Sequence, residues 1–397
     1  MWSCALPAQQ MYLMNMSSGT SMNPESWAMP MVMTQIGNWQ AMFMGQAFVV
    51  DTQQSGARGH DKLFSTNWGM GSAMHSLGGG TLAITLMLSL EPATVTNRSY
   101  PELFQTGETA YGHPLVDAQH PHNFIMGFGF DYAHPLGSAT LQLYYAPVGD
   151  PALGPVAFPH RASAFDLPQA PLSHHWQDST HIADDVATVA IARKWLRVEA
   201  SGFYGSEPDE NRWHLDWGGM NSYAGRVSVL PSANWVFQVS AGRLTKPERQ
   251  EAGDVIRATS SLEYVRPVSH GQWASSLIWG RNHEIVSQRN LNSYLAESLY
   301  PVRGHDFVTG RIELVDKDEL FVDQPALEEQ LARTAGSTFR VQAYTLGYTH
   351  DLGTFSGIET GVGTNVTAYA IPAAIQPHYG THPVGVDVYL RLRLHAK

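Results

Sequence analysis

The chain has 397 residues, of which 43% are hydrophobic and only 15% charged, and its formal net charge is −11. The acidic balance, without a basic patch, argues against a nucleic-acid partner, and the single cysteine, Cys4, excludes an internal disulfide and a cysteine-based zinc site. With 36 glycines, 11% aromatics and no apolar run of roughly 18 residues, the composition is that of a transmembrane β-barrel or a large soluble β-protein.

The N-terminal segment, residues 1–36, is rich in methionine, and residues 1–8 read either as the end of a secretory signal peptide or as an ordinary N-terminus. A thioether sulfur is a soft ligand that suits Cu(I). Closely spaced methionines here are therefore either residues that pack adaptably or ligands of a Cu(I) site. The predicted ligands are Met11, Met14, Met16, Met29, Met31 and Met33.

From residue 37 onward, apolar and polar residues alternate as they do in half-buried strands. In residues 386–394, for example, valines and leucines share one face while Asp387, Tyr389 and Arg391 share the other. A helical period is visible only around residues 324–334. The predicted strands lie at about 37–51, 64–76, 80–92, 122–134, 138–147, 181–193, 195–205, 221–230, 233–245, 256–266, 272–284, 292–300, 306–316, 338–350, 354–367 and 385–395.

Short turns and long connections alternate strictly along these strands. Outer-membrane barrels have an even number of strands, short periplasmic turns and long extracellular loops, and a closed barrel leaves no strand edge unpaired in lipid. The pattern therefore predicts one all-β domain, residues 37–397, that forms a transmembrane antiparallel β-barrel of about 16 strands in the bacterial outer membrane.

The polar face of each strand is expected to line a wet, charged lumen. Arginine–glutamate pairs there either shape a pore or only brace the wall. The predicted lumen residues are Arg226, Arg243, Glu263, Arg281, Glu297, Arg311, Glu313, Arg340, Glu359, Arg391 and Arg393.

Histidines are concentrated in two long connections that are expected to lie on the same side of the barrel. Imidazole is the commonest transition-metal ligand, and a neighbouring carboxylate such as Asp117 or Asp178 often fixes its tautomer. The sequence therefore predicts either a metal site or loop histidines that fold into a constriction. The candidate ligands are His113, His120, His122, His174, His175 and His181.

A nucleophile is the weakest of the candidate chemistries. Ser179 lies beside Asp178 and His181, but near neighbours on one strand do not reach triad geometry. A barrel that hydrolyses lipid is therefore only a third alternative.

Several stretches, at 89–96, 100–124, 149–164, 171–182 and 205–213, together resemble a largely uncharacterised family of porin-like bacterial outer-membrane barrels. The resemblance covers most of the chain and implies an outer-membrane barrel without established catalytic residues. The methionine-rich stretches of the first 45 residues resemble outer-membrane copper-resistance proteins, which implies copper as a ligand.

The expected function is that of a non-enzymatic, porin-like channel that passes or binds a small solute, with its pore constricted by the histidine-rich loops. The alternative is a copper- or zinc-handling protein that uses the methionine and histidine ligands. The expected partners are outer-membrane lipid and a small solute or metal ion, with a homo-oligomer by analogy to trimeric porins. The expected channel requires no cofactor, whereas the metal-handling alternative would bind copper or zinc.

Overall fold

The computed structural model describes residues 8–17, 19–248 and 253–395. It confirms the predicted all-β barrel, because sixteen antiparallel strands form one sheet whose last strand pairs with its first. In chain order the strands are β1 (Val32–Ile36), β2 (Trp39–Gln54), β3 (Asp61–Leu77), β4 (Gly80–Leu88), β5 (Tyr100–Ala110), β6 (His113–Gln119), β7 (Ile125–Leu136), β8 (Ala139–Gly149), β9 (Ala183–Arg193), β10 (Leu196–Tyr204), β11 (Ser222–Ser232), β12 (Trp235–Leu244), β13 (Val255–Val268), β14 (Gly271–Glu284), β15 (Asn290–Arg303), β16 (Asp306–Lys317), β17 (Phe339–Phe355), β18 (Ile358–Ala370) and β19 (Val384–Leu394).

Three of these strands lie outside the barrel wall. β1 pairs with the start of β2, beyond the stretch of β2 that pairs with β19. β5 and β6 form a separate hairpin within the connection between β4 and β7. All sixteen strands predicted for the barrel are therefore present, and the connection at 93–121 contains a hairpin that the alternation pattern did not predict.

Tight turns join the strands at one end of the barrel. Gly78 and Gly79 both have positive φ, at 55° and 82°, as the two-residue turn between β3 and β4 requires. The last tight turn lies at residues 356–357 rather than between the predicted strands 338–350 and 354–367, where the chain instead forms a bulge within β17.

The outer surface of the barrel is apolar. Side chains such as Val189, Leu277 and Val388 point outward and are exposed. Near the tight turns, Trp235 packs 4.3 Å from Tyr264, centroid to centroid, and further aromatic rings continue this row across the neighbouring strands. An apolar belt that ends in an aromatic girdle is the surface that an outer-membrane barrel presents to lipid.

Helices are confined to the N-terminal segment and the long connections. The predicted helix around residues 324–334 is confirmed as α4, which begins with a proline and carries Glu328 in its first turn and Arg333 in its last, as the helix dipole favours. Within the described ranges, none of the helices is long and apolar enough to cross a membrane. The helices are α1 (Ala8–Met14), α2 (Glu91–Thr94), α3 (His174–Gln177), α4 (Pro325–Thr334) and α5 (Gln376–Tyr379), and the 3₁₀ turns are Thr96–Arg98, Phe158–His160, Ala162–Ala164 and Ser179–Ile182.

The lumen is filled by the β5–β6 hairpin, whose strand β5 is almost entirely buried and packs against wall strands, and by two further parts of the chain. The first, here called the plug loop, is residues 150–182 between β8 and β9, and every residue in it is buried except Pro159 and Gln169. The second is the N-terminal segment, which enters from the tight-turn end. The two meet where Ser21 donates a hydrogen bond of 2.9 Å to the Asp150 carboxylate. The signal-peptide interpretation of residues 1–8 and Cys4 fall almost entirely outside the described residues.

Candidate functional site

The plug loop is fixed to the barrel wall by buried ion pairs. Arg161 donates from Nε to Glu297 at 2.6 Å and from Nη1 to Asp178 at 3.0 Å. Asp166, deeper in the barrel, accepts from Arg391 at 2.5 Å and pairs with Arg393. Because these pairs are buried, withdrawal of the loop would leave charged side chains without partners, at a cost in free energy. The ion pairs therefore hold the loop inside the lumen.

Eight of the eleven predicted lumen residues do face inward. Glu313 illustrates their use, since its carboxylate accepts hydrogen bonds from the backbone of Leu172 and Ser173 in the plug loop. The inward-facing residues are Arg226, Glu263, Glu297, Arg311, Glu313, Glu359, Arg391 and Arg393. They contact the plug loop or brace the wall.

Three predicted lumen residues, Arg243, Arg281 and Arg340, instead face outward. Arg340 pairs with Asp316 at 2.8 Å, and Arg243 pairs with Asp254 at 2.6 Å. All three lie near the strand ends that adjoin the long connections. At these strand ends the wall extends beyond the apolar belt, so an outward-facing charged side chain remains in water.

Five histidines from two long connections come together beneath the long-loop end and are called the histidine cluster. The His174 ring centroid lies 5.2 Å from that of His175 and 5.3 Å from that of His181. His120 is 5.7 Å from His175, and His122 is 5.5 Å from His181. The structure therefore unites the two histidine-rich stretches as the sequence predicted.

Three of these rings are oriented by acceptor groups. His174 Nδ1 lies 2.7 Å from the Asp178 carboxylate, and His122 Nδ1 lies 3.0 Å from that of Glu91. His181 Nδ1 lies 2.8 Å from the backbone carbonyl of Asp178. A carbonyl or carboxylate can only accept, so each Nδ1 donates, and in a neutral imidazole of this tautomer Nε2 carries the lone pair. This is how metal-binding histidines are held.

His175 carries the clearest group of ligand atoms. Its Nδ1 is 3.2 Å from Glu248 Oε1 and 3.6 Å from Glu207 Oε2, and one ligand atom from each residue lies within 4.8 Å of the other two. Among the described residues, Nε2 of His175 and Oε1 of Glu207 have no hydrogen-bond partner, and Nδ1 of His175 and Oε2 of Glu207 are met only by the ion pairs within this group. Buried polar atoms are normally satisfied, so these atoms fit a bound cation.

Charges in this group shift the protonation equilibria. Burial alone would lower the pKa of His175, but the carboxylates of Glu207 and Glu248 outweigh it and raise the pKa to about 10. Burial would raise the pKa of Glu207, but the charge of His175 lowers it to about 2. Burial lowers the pKa of His174 and His181, which keeps these imidazoles neutral and able to bind a metal.

His113 is not part of the histidine cluster. It is exposed at the start of β6, on the tip of the β5–β6 hairpin, because the backbone turns there and carries it away from His120. A second group of ligand atoms, from Asp209, His214 and Asp216, lies in the connection after β10. His214 is half exposed there, and its contacts of 3.7 and 3.9 Å are those of an ordinary hydrated loop.

The predicted methionine ligands of the N-terminal segment are dispersed. Met11 and Met33 are exposed, on α1 and β1 respectively, whereas Met16 is buried in the lumen. Met29 and Met31 pack against an apolar cluster of wall and plug residues, and Met14 packs beside Met74. Neither predicted triplet shares one environment, because the segment winds along the inner wall.

Sequence reasoning missed the carboxylates of the site. Glu207 and Glu248 belong to different connections, but each follows shortly after a strand end, on β10 and β12, at the same rim of the barrel. Their shared position, just after strand ends at one rim, was the feature of the sequence from which their proximity could have been predicted. His160 of the plug loop is buried, and its ring centroid lies 4.4 Å from that of Trp68.

No protein-family model and no curated protein matches the sequence. Solved structures do match in fold. An anion-selective porin from Comamonas acidovorans superposes with a TM-score of 0.52 at 12% identity, covering 89% of this chain and 100% of the porin. OmpF of Salmonella typhi, solved with daunomycin, gives 0.52 at 8% identity, covering 91% of this chain and 100% of OmpF. A loop L8 deletion mutant of OmpT, an outer-membrane protein of Vibrio cholerae, gives 0.52 at 6% identity, covering 90% and 99%.

The fold is that of bacterial outer-membrane porins. Together with the apolar belt and its aromatic girdle, this barrel places the chain in the outer membrane, as the sequence predicted. The long connections, and with them the histidine cluster, then lie on the extracellular side, and the N-terminal segment enters from the periplasm.

Proposed function

We propose that this outer-membrane barrel binds a small solute in its plugged lumen, and that the solute is a divalent transition-metal ion of the zinc or copper class. One observation carries the proposal: His175, Glu207 and Glu248 bring buried ligand atoms within 4.8 Å of one another and leave several of them without hydrogen bonds in the described chain. Imidazole and carboxylate together suit zinc and copper.

The surrounding histidines support the same assignment. His174 and His120 border His175, and the Nδ1–H of His174 is already donated to Asp178. A neighbour held in this way offers its Nε2 lone pair to an ion beside His175 after a small rotation of the ring. The ion itself supplies positive charge that offsets the two buried carboxylates of the site.

The proposal is a binding function without catalysis. Ser179 accepts a hydrogen bond of 2.9 Å from Arg257, while the neighbouring His181 donates Nδ1–H to the Asp178 carbonyl. This arrangement does not favour a lipid hydrolase. We also propose that the solute does not pass by free diffusion, since the plug loop occupies the lumen. Assembly of the barrel into a homo-oligomer remains a prediction.

Removing ligands from the site is expected to abolish metal binding. The double variant His175→Ala, Glu248→Gln should lose more than about 100-fold in Zn²⁺ affinity, since losing an orienting partner alone costs about 10–100-fold. Isothermal titration calorimetry of the full chain in detergent measures this. The matched control is His113→Ala, which removes an exposed histidine and should bind Zn²⁺ as the wild type does. Equal loss in both variants, or none in either, contradicts the proposal.

The affinity for Zn²⁺ is expected to rise with pH. His175 carries a proton at neutral pH because its pKa is raised to about 10, and the ion must displace that proton. Affinity should therefore increase about tenfold per pH unit between about pH 7 and pH 9. The stability of the metal-free protein should instead fall as the pH rises. The stabilising contribution of the His175 ion pair is complete below about pH 6.5 and is lost as the pH rises through about 10. Calorimetric titrations at several pH values check the slope, and a flat profile contradicts the role of His175.

A further inference from the structure

A cavity of about 50 Å³ lies in the periplasmic half of the barrel, away from the histidine cluster. Its walls come from β2, β3, β4, β7 and the N-terminal segment. Five thioethers and one carboxylate supply most of its chemistry. These are Met16, Met42, Met70, Met74, Met87 and Asp131.

The strand register explains why the sulfurs converge. Met70 and Met87 are direct cross-strand partners between β3 and β4, and Met42 pairs with Ser72, which lies between Met70 and Met74 on the inner face of β3. Directly opposed residues on one face have Cβ atoms about 4.5–5.5 Å apart. Long, flexible methionine side chains on this lattice can therefore bring several sulfurs to one point.

The N-terminal segment closes the cavity. Met16 is buried there, and its sulfur accepts a hydrogen bond of 2.9 Å from Arg197. Tyr12, one turn earlier, donates to Gln142 at 2.8 Å. Arg197 pairs with Glu199 at 2.9 Å, and the same carboxylate pairs with Arg226 at 3.0 Å. Met16 is thus held over the cavity by a side chain that is itself fixed by an ion pair.

Asp131 provides the second, independent sign of a ligand. It lines the cavity and is only 9% exposed. One carboxylate oxygen accepts from Gln142 at 2.5 Å, but the other, Oδ1, has no hydrogen-bond partner in the described chain. An unsatisfied buried carboxylate oxygen costs free energy unless a cation or water meets it.

We propose that this methionine cavity binds a soft monovalent metal cation, Cu(I) or Ag(I). Thioethers select soft cations, and one carboxylate balances one positive charge. Methionines that served only as core filler would be expected to close the space, because protein interiors leave few voids larger than a water molecule. The site is distinct from the predicted N-terminal triplets, since four of its five sulfurs come from the barrel wall.

Silver is the suitable probe because Ag⁺ is soft and needs no reductant. Binding of Ag⁺ to the purified full chain is measured by equilibrium dialysis, and silver X-ray absorption identifies sulfur neighbours. The variant Met74→Leu, Met87→Leu should lose at least tenfold in affinity together with its sulfur signal. Exchange of methionine for leucine conserves volume and is well tolerated at buried sites, so the barrel should still fold.

Three controls decide the result. Met126→Leu removes a buried methionine of the adjoining apolar cluster that does not line the cavity, and Met11→Leu removes an exposed one; both should bind Ag⁺ as the wild type does. The variant His175→Ala, Glu248→Gln should also keep this site, which separates it from the proposed extracellular one. Failure of the wild type to bind Ag⁺, retained binding in the double methionine variant, or equal loss in Met126→Leu would each overturn the proposal.

Discussion

Removal of the plug loop, the N-terminal segment and the β5–β6 hairpin is expected to convert a closed barrel into a conducting pore. The variant lacks residues 1–28 and carries one short Gly-Ser linker in place of residues 153–179 and another in place of residues 100–119, whose ends are paired. An empty barrel of 16 strands encloses an aqueous channel, whereas the plug loop is almost completely buried in the native lumen. Planar-bilayer recordings should show no steady current for the wild type and a steady open-channel current for the variant.

The deletion is compatible with the barrel because the strand ends are already adjacent. β8 and β9 remain paired as far as Gly149 and Ala183, so a short linker spans the gap without strain. A matched control replaces the exposed helix α4 with the same linker, and this variant should stay closed. A wild-type barrel that conducts as well as the deletion variant would show that the lumen is open in the membrane.

The strands were predictable because one physical rule governs the whole wall. A barrel strand must present apolar residues to lipid and polar ones to the lumen, so the period of two appears in every strand. The same regularity gave the alternation of short and long connections. The position of Arg243 in β12 also predicts an outward side chain, since it shares a face with Phe237 and Val239. Arg243 was assigned to the lumen because its side chain is charged.

The interior was less predictable because it is held by contacts between distant residues. The pairing of Arg161 with Glu297 joins positions 136 residues apart, and no local pattern marks it. His175 meets Glu207 and Glu248 from three separate connections. The histidines themselves were found because imidazole is rare and was concentrated in two stretches, whereas their carboxylate partners resemble ordinary loop residues.

Loss of the Glu297 carboxylate is expected to be the most destabilising single change considered for this barrel. Glu297 accepts from Arg161 at 2.6 Å and from Arg311 at 2.9 Å, and Ser163 donates to it at 2.8 Å. Its side chain and that of Arg161 are both 0% exposed. Glu297→Ala should cost about 3–5 kcal/mol, because the buried guanidinium groups of Arg161 and Arg311 then lose the carboxylate to which their Nε atoms donate. Equilibrium unfolding in detergent, followed by tryptophan fluorescence, measures the change.

The comparison with Arg340→Ala separates burial from charge pairing as such. Arg340 also forms a close ion pair, with Asp316 at 2.8 Å, but its side chain is 48% exposed. Water screens such a pair, so its loss should cost about 0–1 kcal/mol.

A double-mutant cycle of Glu297→Ala with Arg161→Ala should give a coupling of about 0.5–3 kcal/mol. Similar small costs for Glu297→Ala and Arg340→Ala would mean that the plug loop is not anchored at this pair. A large cost for Glu297→Ala accompanied by a leaky bilayer current would tie the same carboxylate to both stability and closure.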